Sequence, residues 1–150
     1  MNYLLDTLVV SEYIRRKPVK AVIDWLDNQI ESSLYLSSLT IAELKKGSYK
    51  LSYSSKKSES NRAKKIRDWI KKLEKRFEDR IIPVNESVLD TWASLCGQAE
   101  SEGRKLPVVD SLLVATAERG NFVIVTRNVA DFKNCKATIE LYDPYSSENS

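Results

Sequence analysis

Pro107-Val108-Val109-Asp110-Ser111-Leu112-Leu113-Val114-Ala115-Thr116-Ala117-Glu118-Arg119-Gly120 leads through Asn121 into Phe122-Val123-Ile124-Val125-Thr126. Proline suits the start of a helix, where its missing N–H is not needed, and Gly120 suits the end, so the first part reads as a helix. The five residues from Phe122 form the strongest strand of the chain, a short apolar run rich in β-branched residues. Upstream, Val88, Leu89, Trp92, Leu95 and Cys96 mark a long helix ending near Gly103, and Arg80-Ile81-Ile82-Pro83 is a short strand. Downstream, Ile139-Glu140-Leu141-Tyr142 closes the sheet, and Asp143 to Ser150 reads as a frayed, flexible tail.

The same alternation runs through the first half. Tyr3-Leu4-Leu5 is a strand ending at Asp6, and Val9, Val10, Tyr13 and Ile14 follow at helical spacing. A second helix, with Pro18 near its start, carries Val19, Val22, Ile23 and Leu26. Leu34-Tyr35-Leu36 is the second strand, and Thr40 opens a helix with Ile41, Leu44 and Tyr49. Residues 52–60 read as a polar, locally disordered loop. Beyond it Ile66, Trp69, Ile70, Leu73 and Phe77 give an amphipathic helix with a cationic outer face. Strands separated by helices predict one α/β domain over 1–142, with a mostly parallel five-stranded sheet and helices on both faces.

At 150 residues, 42% of them apolar and 30% charged, the composition is that of one globular domain. No apolar run approaches the ~20 residues that span a bilayer, and the opening residues lack the pattern of a secretory signal, so a cytoplasmic location is expected. Cys96 and Cys135 lack zinc-site spacing and read as buried thiols. The chain has no histidine, which excludes histidine-based triads and histidine-ligated metals. Charge is segregated: from Lys45 to Arg76 there are thirteen lysines and arginines against three acids, and elsewhere eleven against eighteen. Such a stretch either attracts a nucleic acid through its phosphates or is a solvated helix face.

In a parallel sheet the residues that follow the strands share one edge, where ligands bind. Asp6, Glu43, Asp110 and Asp131 are placed on that edge by sequence order. Each has a structural alternative: Asp6 as a helix cap, Glu43 in a capping box with Thr40, Asp110 as a charge in a first helical turn, Asp131 as a turn former. Capping leaves the coincidence unexplained, because gathered carboxylates repel one another unless a cation is shared. Without histidine, that cation is a hard one that prefers oxygen, Mg²⁺ or Mn²⁺.

The stretches Tyr3-Leu4-Leu5-Asp6-Thr7, Leu36-Ser37-Ser38-Leu39-Thr40-Ile41-Ala42-Glu43-Leu44, Pro107 to Ala117, and Thr126-Arg127-Asn128-Val129-Ala130-Asp131-Phe132 resemble the successive motifs of PIN-domain proteins, most closely the VapC-type toxins of toxin–antitoxin pairs. The resemblance covers residues 2–142. It implies a Mg²⁺-dependent endoribonuclease, inhibited by a cognate antitoxin and usually a homodimer. It also implies Asp6, Glu43 and Asp110 as the metal-binding acids, with Asp131 as a water-mediated contributor and Thr7, Thr126 and Asn128 as supporting polar groups. Leu8 departs from the pattern, which usually has Asn after Asp6-Thr7.

On this reading Lys45, Lys46, Lys64, Lys65, Lys71, Lys72 and Arg127 guide RNA toward the acidic cleft. Tyr49, Leu51, Ile66, Trp69 and Ile70 offer apolar surface to a second copy and an antitoxin. A phosphotransfer receiver is disfavoured because Pro83-Val84-Asn85 follows the third strand, and a haloacid dehalogenase-type phosphatase because position 8 is Leu. A PIN-like RNA- or protein-binding module without turnover is the remaining alternative, kept open by Leu8 and Asn128.

Overall fold

The computed structural model describes residues 1–146. Five parallel strands stand in the order β3-β2-β1-β4-β5. They are β1 (Asn2–Leu5), β2 (Leu34–Ser37), β3 (Ile81–Ile82), β4 (Phe122–Val125) and β5 (Glu140–Tyr142). The helices are α1 (Thr7–Ser11), α2 (Lys20–Asn28), α3 (Ser38–Ser52), α4 (Lys57–Arg76), α5 (Glu86–Ser101), α6 (Val108–Gly120) and α7 (Val129–Lys133). No helix among the described residues is long and apolar enough to cross a membrane.

Alternation along the strands divides the core in two. Leu5 and Val125 point to one face, where Val9, Val10, Val22, Leu26, Ile41, Leu44, Ile70, Leu73 and Phe77 pack from α1 to α4 and just beyond. Leu4 and Ile124 point to the other, against Ala99 of α5, Leu113, Val114 and Ala117 of α6, and Phe132 of α7. In β1 and β4, Leu4 pairs with Ile124 and Leu5 with Val125, so the two central strands end level with each other. The chain builds outward from β1 through β2 to β3, then returns to β4 on the other side. The switch point of the topology is therefore the junction of β1 and β4, where a crevice opens at the strand ends.

Local chemistry sets several boundaries differently from the sequence expectation. α3 begins at Ser38 and not at Thr40, because the Ser37 hydroxyl accepts a hydrogen bond from the Leu39 N–H and caps the helix. The capping box of Thr40 with Glu43 is therefore absent, and Glu43 sits in the second turn of α3. The break after α3 is narrower than 52–60: Ser52 ends α3, and Lys57 to Ser60 are the first turn of α4. The two helices pack closely, with the Ser48 hydroxyl donating to the Ala63 carbonyl at 3.1 Å. Between α6 and β4, Asn121 takes the left-handed conformation (φ 54°), and a Cβ on Gly120 would lie 2.2 Å from the Phe122 ring.

The chain after β5 is not frayed as far as Ser146. Tyr145 packs against the first core, its hydroxyl donates to Glu12 at 2.8 Å, and the Arg127 guanidinium lies 4.9 Å from its ring centre. Residues 147–150 of the expected tail lie outside the described residues. The apolar surface expected on the α3–α4 arm is also largely used within the fold. Ile70 is buried and Ile66 and Trp69 pack on the first core, which leaves Tyr49 and Tyr53 exposed.

Candidate active site

Asp6 follows β1 at the switch point. Its N–H continues the ladder to the Val125 carbonyl at 3.0 Å, which fixes its backbone before its side chain is considered. One carboxylate oxygen accepts from the Thr7 N–H at 2.7 Å, capping α1. The other accepts from the Thr126 hydroxyl at 2.8 Å, and that hydroxyl is aimed by the Asn128 N–H, 3.0 Å away. The residue after β1 and the residue after β4 are thus joined across the crevice. Asn128 contributes its backbone here, and its side chain makes no capping bond to α7.

Glu43 approaches from α3. The Thr7 hydroxyl donates to its Oε1 at 2.7 Å, so Thr7 alone holds two different acids, Asp6 through its N–H and Glu43 through its hydroxyl. Asp110, half-buried in the first turn of α6, has no ion-pair or hydrogen-bond partner for its carboxylate among the described residues. Its helix start is anchored by the next residue. The Ser111 hydroxyl donates to the Pro107 carbonyl at 2.6 Å and accepts from the Trp92 indole N–H at 2.9 Å. Asp131 is exposed in the first turn of α7.

Charge shows that the four acids share one field. Burial pushes the Asp6 carboxyl above its usual range despite the hydrogen bonds from Thr126 and Thr7, and Glu43 adds to the rise. Burial also pushes Asp110 upward, followed by the negative charges of Asp6, Asp131 and Glu43. No lysine or arginine among the described residues forms an ion pair with any of the four. This is an anionic crevice that the fold leaves uncompensated.

The donor set is all oxygen, which suits a hard divalent cation. As placed, no three acids among the described residues form a ready metal-holding group. The set suits a hydrated ion held by one or two carboxylates, the usual manner of Mg²⁺, with Asp6 and Asp110 as the residues that would hold it.

The predicted cations divide. Lys46, Lys64, Lys65, Lys71 and Lys72 are exposed without ion-pair partners among the described residues, whereas Lys45 pairs with Glu74 at 3.5 Å. Arg76, at the end of the cationic run, is committed to Glu31 at 2.8 Å and is not free for a ligand. Arg127 is exposed beside Tyr145. Leu8 is 49% exposed and contributes no polar group to the crevice beyond its backbone.

Sequence reasoning missed Glu12, Ser111 with Trp92, and Tyr145. Burial would raise Glu12, but hydrogen bonds from Val19 N–H, Tyr145 and Arg15 take its carboxyl below the usual range. A serine directly after Asp110, four residues from the Pro107 carbonyl, was a readable signal. The long-range partners were not.

A doubly wound parallel sheet with an uncompensated acidic crevice at its switch point defines the class. The PIN domain family model matches residues 3–136, and the chain belongs to that family. It is similar to toxin FitB of Neisseria gonorrhoeae, 32% identical over 142 residues, which cover 95% of this chain and 97% of that one. It is similar also to VapC ribonuclease Y4jK of Sinorhizobium fredii, 28% identical over 143 residues, covering 95% and 96% of the two chains. A solved structure of FitAcB from Neisseria gonorrhoeae superposes with a TM-score of 0.78 at 28% identity, over 95% of this chain and 98% of that chain.

Proposed function

We propose that the protein is a Mg²⁺-dependent endoribonuclease, with Mn²⁺ as a possible substitute ion, and that it is the toxin of a toxin–antitoxin pair. The observation that carries this reading is the mutually repelling set of acids without a cationic partner, in which Thr126 and Thr7 fix Asp6 and Glu43 and Asp110 stands unpaired among the described residues. A VapC ribonuclease and a FitB toxin among the relatives support the substrate class and the biological setting.

A bound divalent ion supplies charge neutralisation at the phosphate and lowers the pKa of water. Asp6 and Asp110 would hold the ion, with Glu43 beside them to complete the coordination or to act on the water. Glu43, with Oε1 fixed by Thr7, would have Oε2 free to orient and deprotonate the attacking water, and Asp131 would contribute through water from the rim. Because water attacks, the RNA 2′-hydroxyl is a bystander and the products carry a 5′-phosphate and a 3′-hydroxyl. Exposed lysines of α3 and α4 counter the repulsion between RNA and the acidic crevice. A cognate antitoxin and a second copy are the protein partners on this reading, and the cytoplasm is its setting.

The test is cleavage of single-stranded RNA by the purified chain with Mg²⁺ and with EDTA, beside Asp6→Asn and Asp110→Asn. Cleavage that needs the ion and both acids supports the proposal. Equal cleavage by wild type and both variants contradicts the site. Leu8 favours a second reading, a module that binds RNA or protein without turnover; RNA binding with no cleavage under any divalent ion would select it.

A further inference from the structure

α3 presents two unlike faces. Thr40, Ile41, Leu44 and Ser48 are buried against the fold, while Ala42, Lys45, Lys46, Tyr49, Lys50 and Tyr53 line a shallow concavity on the open side. Tyr49 is 51% exposed, and Tyr53, which caps the end of α3 with its N–H bonded to the Tyr49 carbonyl at 3.2 Å, is 85% exposed, four residues on and so on the same stripe. Two large aromatic rings left in water beside cations are the components of a base-stacking platform.

Two observations narrow the occupant. Lys46 and Lys50 have no ion-pair partner among the described residues, and Lys45 is answered only at the flank by Glu74. The face therefore seeks negative charge. It also begins at Ala42, next to Glu43 in the chain, and runs to Tyr53, about 15 Å along the helix, so a strand laid along it reaches the helix turn that carries Glu43. Two copies of this face would set Lys46 and Lys50 against like charges.

We infer that the open face of α3 is a track for single-stranded RNA leading to the acidic crevice, with Tyr49 and Tyr53 stacking on bases and Lys46 and Lys50 contacting phosphates. The inference rests on the nuclease reading for its substrate, and binding is measured apart from cleavage so that the two fail separately. The full chain carrying Asp110→Asn is titrated with a labelled, unstructured RNA oligonucleotide, and its molar mass is followed in parallel. Tyr49→Ala with Tyr53→Ala weakens binding by about 10-fold or more, and Tyr49→Phe with Tyr53→Phe restores it to within about 3-fold. Lys46→Gln with Lys50→Gln reduces the salt slope by about 1.4. Both tyrosines are exposed, so folding is not at stake.

Unchanged affinity in the alanine pair overturns the track, as does absence of RNA binding by the parent chain. A loss that accompanies dissociation of a homo-oligomer overturns it in favour of a self-association face. A loss confined to binding of a protein partner, with RNA affinity intact, overturns it in favour of a protein-docking face. Failure of cleavage in the wild-type chain, with these binding results intact, would remove the nuclease reading and leave the track.

Discussion

Glu31 and Asp110 are both acids beside regular structure, and the fold treats them in opposite ways. Arg76 donates to Glu31 at 2.8 and 2.9 Å and Arg80 at 2.9 Å, with the Arg76 guanidinium 4.9 Å from the Tyr13 ring centre. Hydrogen bonds from Arg76 and then Arg80 hold the Glu31 carboxyl down to about 2. At Asp110 there is no such partner, and burial with the charges of Asp6, Asp131 and Glu43 drives the carboxyl upward. Sharing a region with other charges therefore does not distinguish structure from function. What distinguishes them is whether the fold supplies the counterion: at Glu31 it does, and at the switch point, among the described residues, it does not.

The contrast breaks most visibly at the crevice. Asp6→Asn or Asp110→Asn is expected to lower single-turnover RNA cleavage by about 100-fold or more, since several kcal/mol of charge stabilisation is removed. In the absence of metal either variant should melt at or above the wild-type temperature, because a repelling charge has gone. A drop in melting temperature that tracks the lost activity would place these acids among the structural ones.

A smaller effect is expected one contact away. Thr126→Val keeps the shape but removes the hydroxyl that aims Asp6, and should reduce cleavage by about 10-fold, within the range for partners of metal-binding groups. Wild-type activity would show that the Asp6 backbone alone suffices. Next, replacing Lys64, Lys65, Lys71 and Lys72 with Gln should weaken RNA binding and flatten its salt dependence, by up to about 3 in slope if all four contact phosphates. An unchanged slope would make that face merely solvated.

The smallest effect belongs to the compensated acid. Glu31 is held below its ordinary value of 4.5, so its contribution is full above about 4.5 and is lost as pH falls toward about 2. The pair is half exposed, and solvent screening limits the contribution to about 1 kcal/mol. Denaturant unfolding of wild type and Glu31→Gln should differ by that amount at neutral pH and converge through this acid window. Cleavage at neutral pH should remain, and its loss would tie the network to the site.

The sequence showed the acids of the crevice because each follows a strand or lies in the first two turns of a helix, positions that a parallel sheet brings to one edge. It showed the layer order for the same reason: Tyr3-Leu4-Leu5 and Phe122 to Val125 are apolar runs set between helical patterns. It did not show which cations were already committed. Arg76 belongs to the same basic run as Lys71 and Lys72, yet its partner is Glu31, forty-five residues away. Pattern carries no record of such a contact. The start of α3 was hidden by competition among Ser37, Ser38 and Thr40, all of which can cap, and the tertiary position of Ser37 at the end of β2 decided it. Tyr145 read as tail because its reason for being ordered, the buried Glu12, lies 133 residues earlier.

The crevice lacks a counterion among the described residues, and we propose that it takes a divalent one. Thermal unfolding of the full chain in EDTA and across a Mg²⁺ or Mn²⁺ titration tests it without any choice of RNA, because an ion that binds only the folded state raises the melting temperature. The ion is expected to raise the melting temperature of the wild-type chain, and Asp6→Asn and Asp110→Asn are expected largely to abolish the rise. An equal rise in all three proteins, or none in the wild type at saturating ion, would contradict it.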